Sequence, residues 1–250
     1  MDSGQQGQGD AARWERLAPG VARRRMPTWD ATVGAVAGST GVLLVDTGST
    51  VAEGAGLGRE VRELFGREVT HIALTHPHFD HVFGTAAFPG TQVYGAVGAA
   101  DLMRRERKEL RLDAERYGLA PGAAAEAAER LVTPRHPVSG ELTLDLGGGR
   151  QVLLANLGPG HTAHDLAVFV AGSGGAPEVV FCGDLVEESG EPQAGPDALP
   201  HRWPAALDRL LALGGEDALY VPGHGAVVDA AFVRAQRDAL AARFGVSREE

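Results

Sequence analysis

Four side chains that commonly bind divalent metals lie within six consecutive positions of this 250-residue chain. His76, His78, Asp80 and His81 follow the apolar run Ile72-Ala73-Leu74, which is typical of a buried strand. Neutral imidazole and carboxylate groups are the ligands that a zinc-like ion takes. Because burying these groups together is costly without a cation, the spacing predicts a metal site directly after a strand.

Three further candidate ligands follow later strand-like runs of the chain. In each case an apolar run leads into a glycine, and the metal-binding side chain comes directly after it. Strand ends in a layered α/β protein are the places where loops converge on a site. We therefore expect all seven candidates to meet at one edge of the fold. The three later candidates are His161, Asp184 and His224.

With these motifs the chain resembles the metallo-β-lactamase-fold hydrolases, a superfamily that includes glyoxalase II, lactonases, β-lactamases and some nucleases. The resemblance spans Val33 to Val233. It implies two metal ions and a role for each motif residue. His76, His78 and His161 would bind the first ion, Asp80, His81 and His224 the second, and Asp184 would bridge the two. Asp46, in Val45-Asp46-Thr47-Gly48, would orient ligands from behind.

Such a site predicts hydrolysis. Two adjacent cations lower the pKa of a shared water, so that a metal-bridged hydroxide becomes the nucleophile. Asp80 and Asp184 are the predicted catalytic residues, because they hold metal and orient the water or accept its proton. A small ester, thioester or lactone is the expected substrate, and zinc the expected metal, although iron and manganese suit these ligands too. An iron-dependent oxygenase or redox role and β-lactam hydrolysis stay open as alternatives.

The arrangement of apolar runs predicts the elements that position these residues. Strands and helices alternate in two halves, which matches the four-layer αββα sandwich that the resemblance implies. We expect a disordered tail over residues 1–12 and one domain over residues 13–250. Residues 96–131 are rich in Ala, Arg and Glu at helical spacing and are predicted to form an insert of two helices. The resemblance implies that this insert covers the metal site and shapes the substrate pocket.

Several boundaries are predicted from shorter patterns. A helix is expected over Glu60–Phe65, and a strand over Glu178–Phe181. The Pro-, Gly- and acid-rich stretch Glu187–Leu199 is expected to be a plain loop, and Asp229 is expected to cap a final helix that ends near Phe244.

Composition narrows the partners. The net charge is −10, from 23 basic and 33 acidic residues, which argues against a nucleic-acid substrate because phosphate binding depends on Lys and Arg. Arg104–Lys108 is interpreted as a solvated helix face. Cys182 is the only cysteine, and no apolar stretch reaches membrane-spanning length. We expect a cytoplasmic enzyme that acts on a small-molecule substrate and has no nucleic-acid or membrane partner.

The remaining candidates have simpler interpretations. His71, His136 and His201 are expected to be structural or surface residues. His164 is assigned to the surface or to the pocket, and Asp165 is open between a structural role and support of a ligand. Cys182 is expected to be a small core residue rather than a ligand.

Overall fold

The computed structural model describes residues 14–246, so the prediction of a disordered tail at 1–12 lies outside the described residues. Twelve strands in this part of the chain form two sheets. The first sheet contains, in spatial order, β1 Glu15–Ala18, β2 Val21–Arg25, β3 Thr32–Ala37, β4 Val42–Val45, β5 His71–Ala73, β6 Gln92–Ala96 and β7 His136–Val138. The second contains β12 Leu219–His224, β11 Val179–Glu187, β10 Leu166–Val170, β9 Gln151–Asn156 and β8 Glu141–Asp145.

Helices connect these strands and cover the outer faces of the sheets. Among the described residues, five precede β7: α1 Val51–Phe65, α2 Phe79–Val82, α3 Ala99–Arg105, α4 Arg107–Arg116 and α5 Pro121–Glu129. Two more follow β11: α6 Trp203–Gly214 and α7 Ala230–Phe244. A short 3₁₀ helix, Phe83–Ala87, directly follows α2. No helix among the described residues has the length and apolarity needed to cross a membrane.

Three apolar layers hold the four structural layers together. Successive side chains of a strand point to opposite faces, so neighbouring residues enter different layers. Leu44 faces α1, whereas Leu43 faces the second sheet. In β11, Phe181 faces the first sheet, whereas Val180 packs among residues of α6 and α7. The predicted αββα sandwich is therefore confirmed, and central strands such as β4 and β11 are buried on both faces, as their continuous apolar runs require.

Helix α1 is longer than the sequence pattern predicted. It begins at Val51 rather than Glu60, with the Thr50 hydroxyl accepting a hydrogen bond from the Glu53 N–H at 3.0 Å. It ends at Gly66, whose left-handed backbone caps the last turn. Three glycines lower the helix propensity of its first half, and packing overrides that preference. These are Gly54, Gly56 and Gly58.

Gly54 and Gly56 give a matched test of this packing. A Cβ on Gly54 would collide with the Gly84 carbonyl oxygen, whereas one on Gly56 would meet only an Arg59 nitrogen at 3.8 Å. Gly54→Ala is therefore expected to lower the free energy of unfolding by about 2 kcal/mol or more, as overpacking does. Gly56→Ala is expected to raise it by about 0.5–1 kcal/mol through helix propensity.

Urea unfolding of the two metal-free variants measures this difference. Equal stabilisation of both variants would contradict the close approach of α1 to the backbone of Gly84.

Two other boundaries differ from the predictions. Residues 96–131 contain three helices rather than two, because α3 and α4 are separated at Glu106 and Pro121 begins α5 instead of only breaking a helix. Strand β11 continues to Glu187, beyond the predicted end at Phe181. Asp184 consequently lies inside a strand and not after it. The predicted cap of α7 is confirmed, since Asp229 accepts a hydrogen bond from the Phe232 N–H at 2.9 Å.

Candidate metal centre

The seven candidate ligands converge where the two sheets meet. His76 and His78 lie in the loop after β5, while Asp80 and His81 lie on α2. His161 lies in the loop after β9, Asp184 lies on β11, and His224 ends β12. Their potential ligand atoms form two groups, with all atoms of a group within 4.8 Å of one another. The first group is His76, His78, His161 and Asp184, and the second is Asp80, His81 and His224.

A local irregularity of β11 presents Asp184 to both groups. The pairing of β11 with β12 shifts register between Phe181 and Gly183, as in a β-bulge. Gly183 has a φ of 54°, and a Cβ there would lie 2.7 Å from the Thr75 Cβ, so only glycine fits. The bulge turns the next side chain, Asp184, toward the loop that follows β5.

The Asp184 carboxylate contacts both groups. Its Oδ2 lies 3.5 Å from His161 Nε2 in the first group and 3.2 Å from His224 Nε2 in the second. Its Oδ1 lies 3.2 Å from His81 Nε2. A carboxylate with one oxygen shared between two sets of imidazoles is placed to bridge two cations.

Each of the five imidazoles has one nitrogen directed to this centre and another directed away from it. Four of the outer nitrogens contact oxygen atoms that fix the orientation of the ring. The His81 Nδ1 lies 2.9 Å from Asp46 Oδ2, and the His78 Nε2 lies 3.0 Å from Asp197 Oδ2. The other two partners are the Thr75 hydroxyl, 3.0 Å from His76 Nδ1, and the Trp29 carbonyl, 2.7 Å from His224 Nδ1.

The fifth outer nitrogen belongs to His161. Its Nδ1 is buried without a hydrogen bond, and the nearest carboxylate oxygen is Glu187 Oε1 at 4.0 Å. Glu187 is itself held by the Gln193 N–H, which donates to Oε1 at 3.0 Å. The Glu187 carboxylate thus faces the outer side of His161, three residues after Asp184 on the same strand.

Asp46 supports the site from the end of β4. Its Oδ1 accepts the Thr75 N–H at 2.8 Å, and its Oδ2 accepts the Thr75 hydroxyl at 2.7 Å, in addition to its contact with His81. The residue has a φ of 60°, a conformation that Asp and Asn adopt more readily than other non-glycine residues. Asp46 is 2% exposed. It connects β4 to both ends of the loop that carries the first four candidates.

The electrostatics of the centre fit a bound cation. Burial lowers the pKa of His76 well below its usual value and that of His161 to about 4, which keeps both rings neutral. Although burial opposes it, Asp184 raises the pKa of His224 to about 9, and Asp184 and Asp80 raise that of His81 well above normal. In the metal-free protein, the protonated rings of His81 and His224 therefore supply positive charge beside the carboxylates. Metal binding would release these protons.

The donor set also fits a metal chemically. His76 Nε2 and Asp184 Oδ1 are buried without a hydrogen-bond partner, although both face the centre. Buried polar atoms are normally paired, so unpaired atoms that converge on one point indicate a group that belongs there. Five imidazoles and two carboxylates suit a borderline divalent ion such as zinc.

A cavity of about 350 Å³ opens over the centre. Part of its wall is apolar, from Trp29, Phe79, Leu110 and Tyr117. The rings of Trp29 and Phe79 meet edge to face at 5.2 Å, and the Trp29 Nε1–H donates to the Tyr117 carbonyl at 3.2 Å. Leu110 and Tyr117 come from α4 and its end, so the helical segment after β6 forms part of the cavity, as expected.

The other part of the wall comes from the end of β11 and the segment that follows it. Glu187, Ser189, Glu191, Gln193 and Asp197 line it. Burial and the charge of Asp184 raise the pKa of Glu187 to about 7. Cations at the centre would favour its ionised form, because an opposite charge stabilises a carboxylate.

The sequence interpretation missed the roles of this segment and of the Trp29 carbonyl. Asp197 lies in a stretch interpreted as a plain loop, 119 residues from the histidine that it contacts. No local pattern connects two positions so far apart. The Trp29 contact involves a backbone carbonyl, which carries no sequence signal. Thr75 directly precedes His76 in the sequence. Its contact with that ring is therefore the one missed feature that a local sequence signal could have indicated.

The simpler candidates lie outside the two groups. His71 and His136 both stack on Tyr94, and His201 is exposed. His164 Nδ1 lies 2.9 Å from the Val97 carbonyl oxygen, away from the cavity lining. Cys182 is buried, with its thiol directed to the Val180 carbonyl.

Asp165 has a structural partner near the centre. Its carboxylate accepts the hydroxyl of Thr162 at 2.7 Å and the N–H of Thr162 at 2.9 Å. Burial raises the pKa of Asp165 to about 7. It shapes the loop that carries His161 without contacting the imidazole.

The chain matches the sequence model of the metallo-β-lactamase superfamily over residues 27–224. It belongs to that superfamily. The matched residues of this superfamily member include all seven candidate ligands and Asp46. A search of curated proteins found no match.

Solved structures share the metallo-β-lactamase fold with this chain. The metallo-β-lactamase from Pontibacter korlensis is 21% identical, with a TM-score of 0.69, over 91% of this chain and 98% of that one. The DIM-1 metallo-β-lactamase is 18% identical, with a TM-score of 0.67, over 92% of this chain and 97% of that one. At these identities the likeness shows the fold. Membership of the superfamily, together with the histidine and aspartate groups, identifies a metal-dependent hydrolase.

Proposed function

We propose that this protein is a zinc-dependent hydrolase that cleaves a small ester, thioester or lactone with two zinc ions. The observation that carries the proposal is the position of the Asp184 carboxylate between the two groups of imidazoles. His76, His78 and His161 would hold one ion, Asp80, His81 and His224 the other, and Asp184 both. A pair of zinc ions supplies an ionised water at neutral pH and polarises the carbonyl under attack.

The chain's own residues then move the proton and place the substrate. Asp80 lines the cavity, with its Oδ2 3.4 Å from His224 Nε2. We assign it the proton of the attacking water, which it passes to the departing oxygen or sulfur. The acyl group lies against the aromatic wall of Trp29, Phe79 and Tyr117, where apolar contact excludes bulk water.

Metal analysis and a substrate panel test this function. Protein stripped with a chelator and dialysed against zinc is expected to bind two ions per chain. It is then expected to hydrolyse at least one of an ester, a thioester and a lactone, with activity lost on chelation and restored by zinc. Binding of one ion only, or turnover of phosphodiesters alone, would contradict the proposal. Protein purified with bound iron and a coloured spectrum would support an oxygenase instead.

Hydrolysis of β-lactams is a second candidate. Two of the structurally similar proteins are metallo-β-lactamases, at 21% and 18% identity. A penicillin and a cephalosporin therefore belong in the same panel. Turnover of these compounds, with none of the esters, thioesters or lactones, would replace the first candidate by this one.

A further inference from the structure

The outer nitrogen of His161 differs from those of the other four candidate ligand histidines. The outer nitrogens of His76, His78, His81 and His224 each lie between 2.7 and 3.0 Å from an oxygen atom. The His161 Nδ1 has no hydrogen-bond partner, although the residue is only 3% exposed. One candidate ligand of the five therefore lacks the support that the other four receive.

Metal binding would fix the position of the proton on this ring. The His161 Nε2 is the nitrogen that faces the centre, 3.5 Å from Asp184 Oδ2. A neutral imidazole that gives the lone pair of one nitrogen to a metal carries its proton on the other nitrogen. In the zinc-loaded protein the His161 Nδ1 would therefore be a donor, and burying a donor without an acceptor is costly.

Glu187 is the acceptor available to this nitrogen. Its Oε1 lies 4.0 Å from the His161 Nδ1, and no other carboxylate oxygen of the described residues lies within that distance. Glu187 is 7% exposed, and within the described part of the chain its carboxylate accepts one hydrogen bond, from the Gln193 N–H at 3.0 Å. A carboxylate can accept several hydrogen bonds. A buried carboxylate with spare capacity thus faces a buried nitrogen without a partner.

The end of β11 holds Glu187 beside the loop of His161. The pairing of β11 with β12 shifts register a second time between Gly183 and Glu187. There the side chain of Gln236, a buried residue of α7, contacts the backbone of β11. Its Oε1 accepts the Glu187 N–H at 3.1 Å, and its Nε2 donates to the Leu185 carbonyl at 2.8 Å. The backbone on both sides of the Glu187 side chain is therefore fixed, by Gln236 before it and by Gln193 after it.

We infer that Glu187 is a positioning residue of the metal centre, whose carboxylate accepts a hydrogen bond from the His161 Nδ1 when zinc occupies the first group. The inference rests on the zinc binding that the proposed function requires, and it is independent of the substrate. A carboxylate behind a ligand imidazole fixes the orientation of the ring and makes it a stronger ligand. Glu187 would act on the metal through His161.

Two substitutions separate the hydrogen bond from the volume of the side chain. Glu187→Met keeps a similar length but replaces the carboxylate by a thioether, which accepts hydrogen bonds only weakly. Glu187→Gln keeps an acceptor oxygen without the charge. In competition with a chromophoric chelator, Glu187→Met is expected to bind one of the two zinc ions about 10- to 100-fold more weakly than the parent. Glu187→Gln is expected to lie between the two.

Glu191→Gln is the matched control for the zinc competition. Glu191 belongs to the same segment and also lines the cavity, but it is exposed and pairs with Arg243 at 3.2 Å. Its zinc affinity should stay within about twofold of the parent, because exposed ion pairs contribute little. An equal loss of affinity in Glu191→Gln and Glu187→Gln would attribute the effect to charge alone and overturn the inference.

Nuclear magnetic resonance of protein with ¹⁵N-labelled histidine detects the hydrogen bond itself. Zinc addition to the parent is expected to produce a downfield imidazole N–H proton signal from His161, as a carboxylate acceptor gives. The signal should be lost in Glu187→Met, whereas the signal of the His81 Nδ1, which lies 2.9 Å from Asp46, should remain as the internal reference. A change of packing alone would not remove one signal and leave the other.

The outcomes distinguish this inference from the proposed function. If the parent binds two zinc ions and Glu187→Met keeps both the zinc affinity and the His161 signal, the role of Glu187 is overturned and the hydrolase proposal stands. If no compound of the substrate panel is hydrolysed, but Glu187→Met loses zinc affinity and the His161 signal, the hydrolase proposal fails and the role of Glu187 stands. If Glu187→Met does not fold, a Glu187→Gln protein with the parent's zinc affinity and an unshifted His161 signal would overturn the inference in its place.

Discussion

Asp184→Asn is expected to lower kcat/KM by about 10³-fold or more, because in the proposed two-metal mechanism Asp184 would hold both ions. The amide has the shape of the carboxylate but lacks its charge. In the metal-free protein it loses the attraction to His81 and His224, whose nitrogens lie 3.2 Å from the two carboxylate oxygens. We also expect the zinc content to fall from two ions toward one per chain.

Elemental analysis and steady-state kinetics of the same preparation measure the Asp184 effect. Asp217→Asn, a change of the same type at an exposed position, controls for the substitution itself. Circular dichroism of both variants should show an intact fold. An Asp184→Asn protein with unaltered turnover and two zinc ions per chain would contradict the bridging role of Asp184.

Asp46→Ala is expected to destabilise the metal-free protein by about 3–5 kcal/mol, the usual cost of removing one partner from a buried charged network. The change leaves three donors without an acceptor: the N–H and hydroxyl of Thr75, and the Nδ1 of His81. It also places alanine at a φ of 60°, which costs further free energy. Asp46→Asn tolerates that backbone and should be less destabilised.

Loss of Asp46 should also weaken metal binding. Removing the partner that orients a ligand histidine commonly costs about 10- to 100-fold in metal affinity. Urea unfolding of the metal-free protein and zinc competition with a chelator measure the two effects separately. Asp101→Ala, at an exposed position of α3, is the control and should stay within about 0.5 kcal/mol of the parent. An Asp46→Ala protein with the control's stability and zinc affinity would remove Asp46 from the site.

The sequence predicted the ligand-bearing parts of the fold because their signals are local. The run from His76 to His81 needs only one loop and one helical turn. The alternation of strands and helices predicted two sheets covered by helices, because residues such as Leu43 and Leu44 lie on opposite faces of a buried strand.

The missed features depend on contacts between distant parts of the chain. Strand β2 has the sequence VARRR, and its three arginines make it unlike a strand in sequence. It nevertheless pairs with the neighbouring strand β3 at five positions. The glycines of α1 lower its helix propensity, and the sequence gives no sign that Gly54 lies against the backbone of Gly84. The contact of Asp197 with His78 arises from the path of a loop, which no periodicity encodes.

The candidate ligands are divided between the two sheets, so metal binding is expected to stabilise the folded chain. His76, His78, Asp80 and His81 follow a strand of the first sheet, whereas Asp184 and His224 lie on strands of the second. Ions bound by both sets would link the two sheets of the sandwich and stabilise the folded state. By mass action, a ligand at about a thousand times its dissociation constant adds about 4 kcal/mol to the free energy of unfolding. A cell short of the metal would then lose folded protein as well as catalytic turnover.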